Sequence, residues 1–180
     1  MFNNIAFIGG IHGVGKSTIC QHICNKLSME YLSASQLLKW NSLNQDVKSK
    51  KVKDISETQN RLILGLNNSI KTEKNYMLDG HYCLLNTNNE IINIPLEIFK
   101  QINPFSLNII LDDVSAIKER LETRDNRIYD YKILESFQGQ ELKHAKFLSK
   151  TLGITLNIGA PNDYSEMLTS LHNLKSKINR

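Results

Sequence analysis

Cysteine is scarce in this chain of 180 residues, with three in all, Cys20, Cys24 and Cys83. So odd and sparse a set builds no disulfide framework and predicts a reducing compartment. Cys20 and Cys24 stand four apart on one face of a helix, with His22 on another, which fits apolar packing better than a metal site. Proline is as rare, and the chain has no linker rich in Pro, Gly or Ser, no internal repeat and no low-complexity tract. One compact unit over residues 1–180 is expected. Long apolar runs are missing too. None reaches the ~20 residues that a membrane-spanning helix requires, and IAFIGG near the start reads as a strand with no charged leader or cleavage site before it. A cytoplasmic protein with no membrane partner is expected. Nor does one sign of charge dominate: 22 basic and 18 acidic side chains give +4, which suits an anionic ligand without pointing to nucleic acid.

What remains is an ordinary globular composition, 41% apolar and 22% charged. Apolar runs suited to buried parallel strands occur at Ile5–Ile8, Tyr76–Leu78, Leu107–Leu111 and Ile154–Ile158, with a weaker one at Tyr31–Leu32. Helical spacing fills the intervals at Thr18–Leu27, Ile55–Ile70, Ser115–Thr123, Tyr131–Leu152 and Tyr164–Ile178. Strands that alternate with helices predict an α/β fold, a parallel sheet covered on both faces. Asp113 is placed to cap the helix near Ser115, and Gly153 to end the long one. Asn86–Asn89 reads as a turn between two short extended arms, and Pro95 and Pro104 bracket a short helix.

One motif carries chemistry. Gly10-Ile11-His12-Gly13-Val14-Gly15-Lys16-Ser17 fits G-x-x-x-x-G-K-[ST], preceded by a strand and followed by a helix. Its glycines let backbone N–H groups curl around a β-phosphate, while the helix start adds positive potential to the same anion. In such a loop Lys16 reaches the β- and γ-phosphates, Ser17 offers a hydroxyl to Mg²⁺, and Thr18 reaches the α-phosphate of a bound ATP. Asp79 ends a strand expected beside the loop's strand, where a carboxylate orients the waters of Mg²⁺. Asp112 and Asp113 compete for that role but also serve to cap the next helix. Arg120, Arg124 and Arg127 follow at spacings of four and three, and arginines that arrive from a lid stabilise the charge of a transferring phosphoryl group. Their competing reading is an exposed charged helix. His81 and Tyr82 follow Asp79-Gly80 at the edge where open sheets bind ligands, as acceptor contacts or as plain loop residues.

In order and spacing the chain resembles the nucleoside monophosphate kinases, and among them the archaeal-type adenylate kinases. The matching segments are GGIHGVGKST, LDGH, LLNTNNEIINIP with INPF, ERLETRDNR, QGQELKHAKFLSKTLG and ITLNI. The resemblance implies a P-loop three-layer sandwich with a five-stranded parallel sheet. It also implies an ATP donor site, a small lid at about 120–140 carrying the arginines, and an acceptor-binding region at about 34–73. On family positions fall Lys16, Ser17, Thr18, Asp79, Arg120, Arg124 and Arg127. In the acceptor region this chain has Val47–Asp54 rich in lysine, and Arg61 is its only arginine before residue 120. Arg61 and His81 are therefore the acceptor candidates. Lys48, Lys50, Lys51 and Lys53 are open to a solvated role, an acceptor phosphate or an RNA contact. Phosphoryl transfer to a nucleoside monophosphate is the expected activity. An ATP-hydrolysing module that acts on an RNA or protein partner is the alternative, as is a kinase for another metabolite or a nucleic-acid end.

Overall fold

The computed structural model describes residues 2–40, 55–86, 88 and 90–178; the four lysines at 48–53 lie outside them. In chain order the elements are β1 (Ile5–Gly9), α1 (Lys16–Leu27), β2 (Glu30–Ser33), α2 (Ala34–Trp40), α3 (Ile55–Ser69) and β3 (Tyr76–Asp79). Then come β4 (Cys83–Leu85), β5 (Ile91–Asn93), α4 (Leu96–Ile102), β6 (Ser106–Ile110), α5 (Val114–Asp125), α6 (Tyr131–Leu152), β7 (Leu156–Gly159) and α7 (Ser165–Ile178). Five strands form one parallel sheet in the order β2-β3-β1-β6-β7.

Helices cover this sheet on both faces, so its middle strands need apolar side chains on each side. Every residue of β1 and of β6 is buried. The one amide among them, Asn108, has partners throughout: it donates to Phe7 O at 2.9 Å and accepts from Asn157 Nδ2 at 2.8 Å. Parallel strands leave their C-terminal ends on one edge, and the register sets Ile8 beside Asp79 and Gly9 beside Ile109. The ends of β1, β3 and β6 thus come level where ligands of open sheets bind. Cys20, Cys24 and Cys83 are buried as free thiols. No helix among the described residues is long and apolar enough to cross a membrane.

The last strand begins at Leu156 rather than Ile154. The reason is the helix before it: Gly153 adopts φ 67° and Ile154 N–H donates back to Ser149 O at 3.1 Å, so Ile154 belongs to the helix cap. Helix α2, which the sequence pattern did not suggest, follows directly on β2. The asparagine turn closes an antiparallel pair of β4 and β5, where Asn86 Oδ1 accepts the N–H groups of Asn88 and Glu90, each at 2.9 Å.

Asp113 caps α5 by accepting the Ala116 N–H at 3.0 Å. Asp113→Ala leaves that N–H without its side-chain acceptor, so the protein should lose about 1 kcal/mol of stability. Its thermal midpoint should fall by roughly 2–4 °C, and an unchanged melting curve would show the cap to be idle.

Candidate functional site

Between β1 and α1 the chain turns through Gly10, Gly13 and Gly15, all at positive φ. At Gly10, with φ 132°, an added Cβ would stand 2.6 Å from the Ile110 carbonyl oxygen. At Gly13 it would enter the Leu121 side chain at 2.7 Å. Only glycine fits both the backbone conformation and the space. Ile11 and Val14 pin the loop from below, each almost wholly buried, while His12, Ser17 and Thr18 stay exposed above it. The loop therefore presents its backbone N–H groups and the start of α1 to the open edge of the sheet.

Lys16, the first residue of α1, is 8% exposed. Its Nζ donates to Gly10 O at 2.5 Å and Ile11 O at 3.3 Å, and lies 4.0 Å from Asp79 Oδ1. Burial pulls the ammonium's pKa down, while Asp79 and Glu141 counter it. Asp79 closes β3; its Oδ2 accepts from Tyr31 OH at 3.0 Å and from Ser17 Oγ at 3.4 Å. Burial raises the Asp79 pKa against the pull of Lys16, Tyr31 and Ser17. Tyr31 from β2, which sequence reasoning read only as part of a weak strand, is thus a partner of this carboxylate, and its phenol is pushed up to about 12, chiefly by burial. Among the described residues no three His, Cys, Asp or Glu gather into a metal cage. A hydroxyl and a carboxylate at the mouth of a phosphate loop fit a hard cation that keeps most of its waters, as Mg²⁺ does.

Of the three arginines expected on a lid, the structure brings one to the loop. Arg120 Nε donates to Gly13 O at 2.9 Å and its Nη2 donates to Asp112 Oδ2 at 2.5 Å. Asp112 is thereby paired with an arginine, and Asp113 is the helix cap. Arg124 instead forms a two-pronged pair with Asp125, both contacts at 2.8 Å. Arg127 lies over the Tyr129 ring at 4.5 Å and donates to its hydroxyl. Residues 126–130 form the non-helical connection between α5 and α6. Arg61 is half-buried on α3, beside the core residue Leu62.

The group that sequence reasoning missed is Glu141 on α6, with 0% exposure. Its Oε2 accepts Gly10 N–H, and its Oε1 accepts both Tyr82 N–H and Cys83 N–H, all at 2.9 Å. The signal was present in the pattern: Leu134, Phe137, Glu141, Ala145 and Leu148 recur at three-to-four spacing on the buried side, and an acid inside an apolar stripe needs a reason. His81 Nδ1 lies 3.5 Å from Glu141 Oε1, and its ring centroid is 4.5 Å from that of His12. Burial and the Lys16 charge hold the His81 pKa well below its ordinary value. Tyr82 does not reach the open edge, contrary to its reading as an acceptor contact. It is fully buried, donates to Asn108 O at 2.9 Å and packs edge-on against Phe7, because Gly9 leaves room for its ring.

A parallel sheet in this strand order, with a phosphate loop running from its central strand into a helix, defines the P-loop fold in its kinase-like form. The chain belongs to the AAA domain family, whose model matches residues 9–138. Solved structures share the fold. A gluconokinase from Sinorhizobium meliloti 1021 is similar at TM-score 0.53 and 9% identity, over 98% of this chain and 93% of that one. The YorR protein from Bacillus subtilis, solved in complex with phosphorylated GDP, is similar at TM-score 0.56 and 16% identity, over 96% and 95%. No curated protein sequence matches the chain.

Burial pushes the Glu141 pKa from 4.5 up to about 7, against the N–H donors and Lys16. A carboxyl raised in the fold favours the native state most while it is protonated there. Its contribution is fully present below pH 4.5 and is lost as pH rises through about 7. The stability of the wild type relative to Glu141→Gln, from denaturant titrations at several pH values, should therefore decline across that window. A difference that does not change with pH would contradict the assignment.

Proposed function

We propose that the protein is an ATP-dependent phosphotransferase that moves the γ-phosphoryl group of Mg·ATP to a small acceptor, a nucleoside monophosphate. The observation that carries this reading is the convergence of Lys16, Ser17 and Asp79 at the mouth of the loop. A transferring phosphoryl group needs positioning and charge stabilisation more than covalent help. On this reading the loop N–H groups and Lys16 hold the β- and γ-phosphates, Ser17 supplies a hydroxyl ligand to Mg²⁺, and Asp79, aligned by Tyr31, orients the ion's waters. The bound ion supplies charge neutralisation across the phosphate oxygens. Arg120 stiffens the loop from α5. Arg124 and Arg127 reach the phosphoryl group only by exchanging Asp125 and Tyr129 for phosphate oxygens, which makes residues 120–140 the lid.

The archaeal-type adenylate kinase resemblance supports a nucleotide acceptor, bound by the region at 34–73 with Arg61 as its phosphate contact and His81 at its edge. A protein of similar fold was solved with phosphorylated GDP, which is in keeping with a nucleotide as ligand. Transfer from labelled ATP to a panel of nucleoside monophosphates, with gluconate and background hydrolysis beside it, tests the reading directly. Transfer to gluconate alone would change the acceptor class. Hydrolysis alone, joined to salt-sensitive RNA binding, would favour a nucleotide-driven module acting on RNA.

Two variants separate donor from acceptor. Lys16→Ala removes a charge-assisted contact of about 1.5–3 kcal/mol and should abolish turnover, since charge grows on the oxygens it meets. Arg61→Ala should raise the acceptor KM strongly and leave ATP binding nearly untouched. Near wild-type turnover in the first variant would end the phosphotransferase reading; weakened ATP binding in the second would move Arg61 to the donor side.

A further inference from the structure

A carboxylate with no exposure is costly unless its lone pairs are filled, and the way Glu141 fills them is specific. The loop that leaves β1 and the segment that leaves β3 both turn away from the sheet at the same edge. Gly10, Tyr82 and Cys83 there point N–H groups into the interior, and a buried N–H demands an acceptor. One side chain, sent in from α6, serves all three at 2.9 Å. The consequence reaches the phosphate loop. Glu141 holds the N–H of Gly10, and the carbonyl of that same residue receives Lys16 Nζ. Gly10 is thus fixed on both sides, by the carboxylate below and the ammonium above. The segment carrying His81 is held by the other carboxylate oxygen, and the His81 ring lies against His12 of the loop.

We propose that Glu141 is a positioning residue for phosphate binding, acting through Gly10: its carboxylate sets the direction in which the loop leaves β1, and so the convergence of the loop's N–H groups and Lys16. The inference rests on the loop being a triphosphate site. Shape alone does not serve here. Glutamine has the same length but turns an amide donor toward at least one N–H, and aspartate keeps the charge but is one methylene short of spanning both strand ends.

The test is calorimetric binding of MgATP to the full chain, well below the melting temperature of each variant. Glu141→Gln should bind about tenfold more weakly or worse, the scale of one lost hydrogen bond to a charged group, and Glu141→Asp should fall between it and the wild type. Asn103→Ala, which removes an amide donated to Phe2 O ahead of the start of β1, at the other end of the sheet from the loop, serves as a control that loses stability and keeps its affinity. If the Glu141 variants melt earlier yet bind MgATP as the wild type does, the carboxylate is only structural and the proposal is overturned. A wild type that binds no MgATP would instead end the functional reading itself. Should neither variant fold, hydrogen exchange on the wild type decides: the Gly10, Tyr82 and Cys83 amides should gain protection together on MgATP saturation, and unchanged protection overturns the proposal.

Discussion

An ammonium group that is almost closed off from water must be given anions or dipoles to face, and in this protein the architecture of the open sheet edge follows from that need at Lys16. The loop turns two carbonyls back onto it, and Asp79 stands 4.0 Å away. For Asp79 to arrive there, β3 must lie directly beside β1 with their ends level. That places β2 outside β3, from where Tyr31 steadies the carboxylate. The strand order, the register and the polar network are therefore one constraint seen at three scales.

The second layer of the site is dipolar. Arg120 closes the loop against α5, where Gly13 makes room for Leu121, and Glu141 closes it against α6. The loop is thus held by a cation on one flank and by a carboxylate on another, each through a backbone atom of a glycine. Contacts of this kind, to Gly13 O and Gly10 N–H, fix the conformation in which the loop presents its N–H groups to the open edge.

Much of this was legible in the sequence wherever the cause is local. The phosphate loop, the Asp113 cap, the Gly153 terminus and the asparagine turn are each set by residues within a few positions of one another, and their chemistry shows in the spacing. Strand β2 was faint because it is an edge strand whose four residues are all at least partly exposed, so it lacks the apolar run by which β1 and β6 announce themselves. Tyr31 and Asp79 meet across 48 positions, and Glu141 meets Gly10 across 131; no spacing rule spans such distances. Arg124 and Arg127 show the converse. Their spacing suggested one role in common with Arg120, but Asp125 and Tyr129, placed between and beyond them, set where they rest.

The central position of β1 has a consequence for how the chain is made. Its hydrogen-bonding partners on either side are Tyr76–Asp79 and Ser106–Ile110, so the strand bearing the phosphate loop is synthesised long before either neighbour. At translation rates of roughly 5–20 residues per second, it waits about 5–20 s for the second of them. Throughout that interval IAFIG is an apolar strand with at least one open edge, and with two until Tyr76–Asp79 is made, the kind of segment that pairs with other chains. A sheet dominated by such distant pairings closes late and slowly. The arrangement that delivers Asp79 to Lys16 therefore also sets the period in which the nascent protein is most exposed to aggregation.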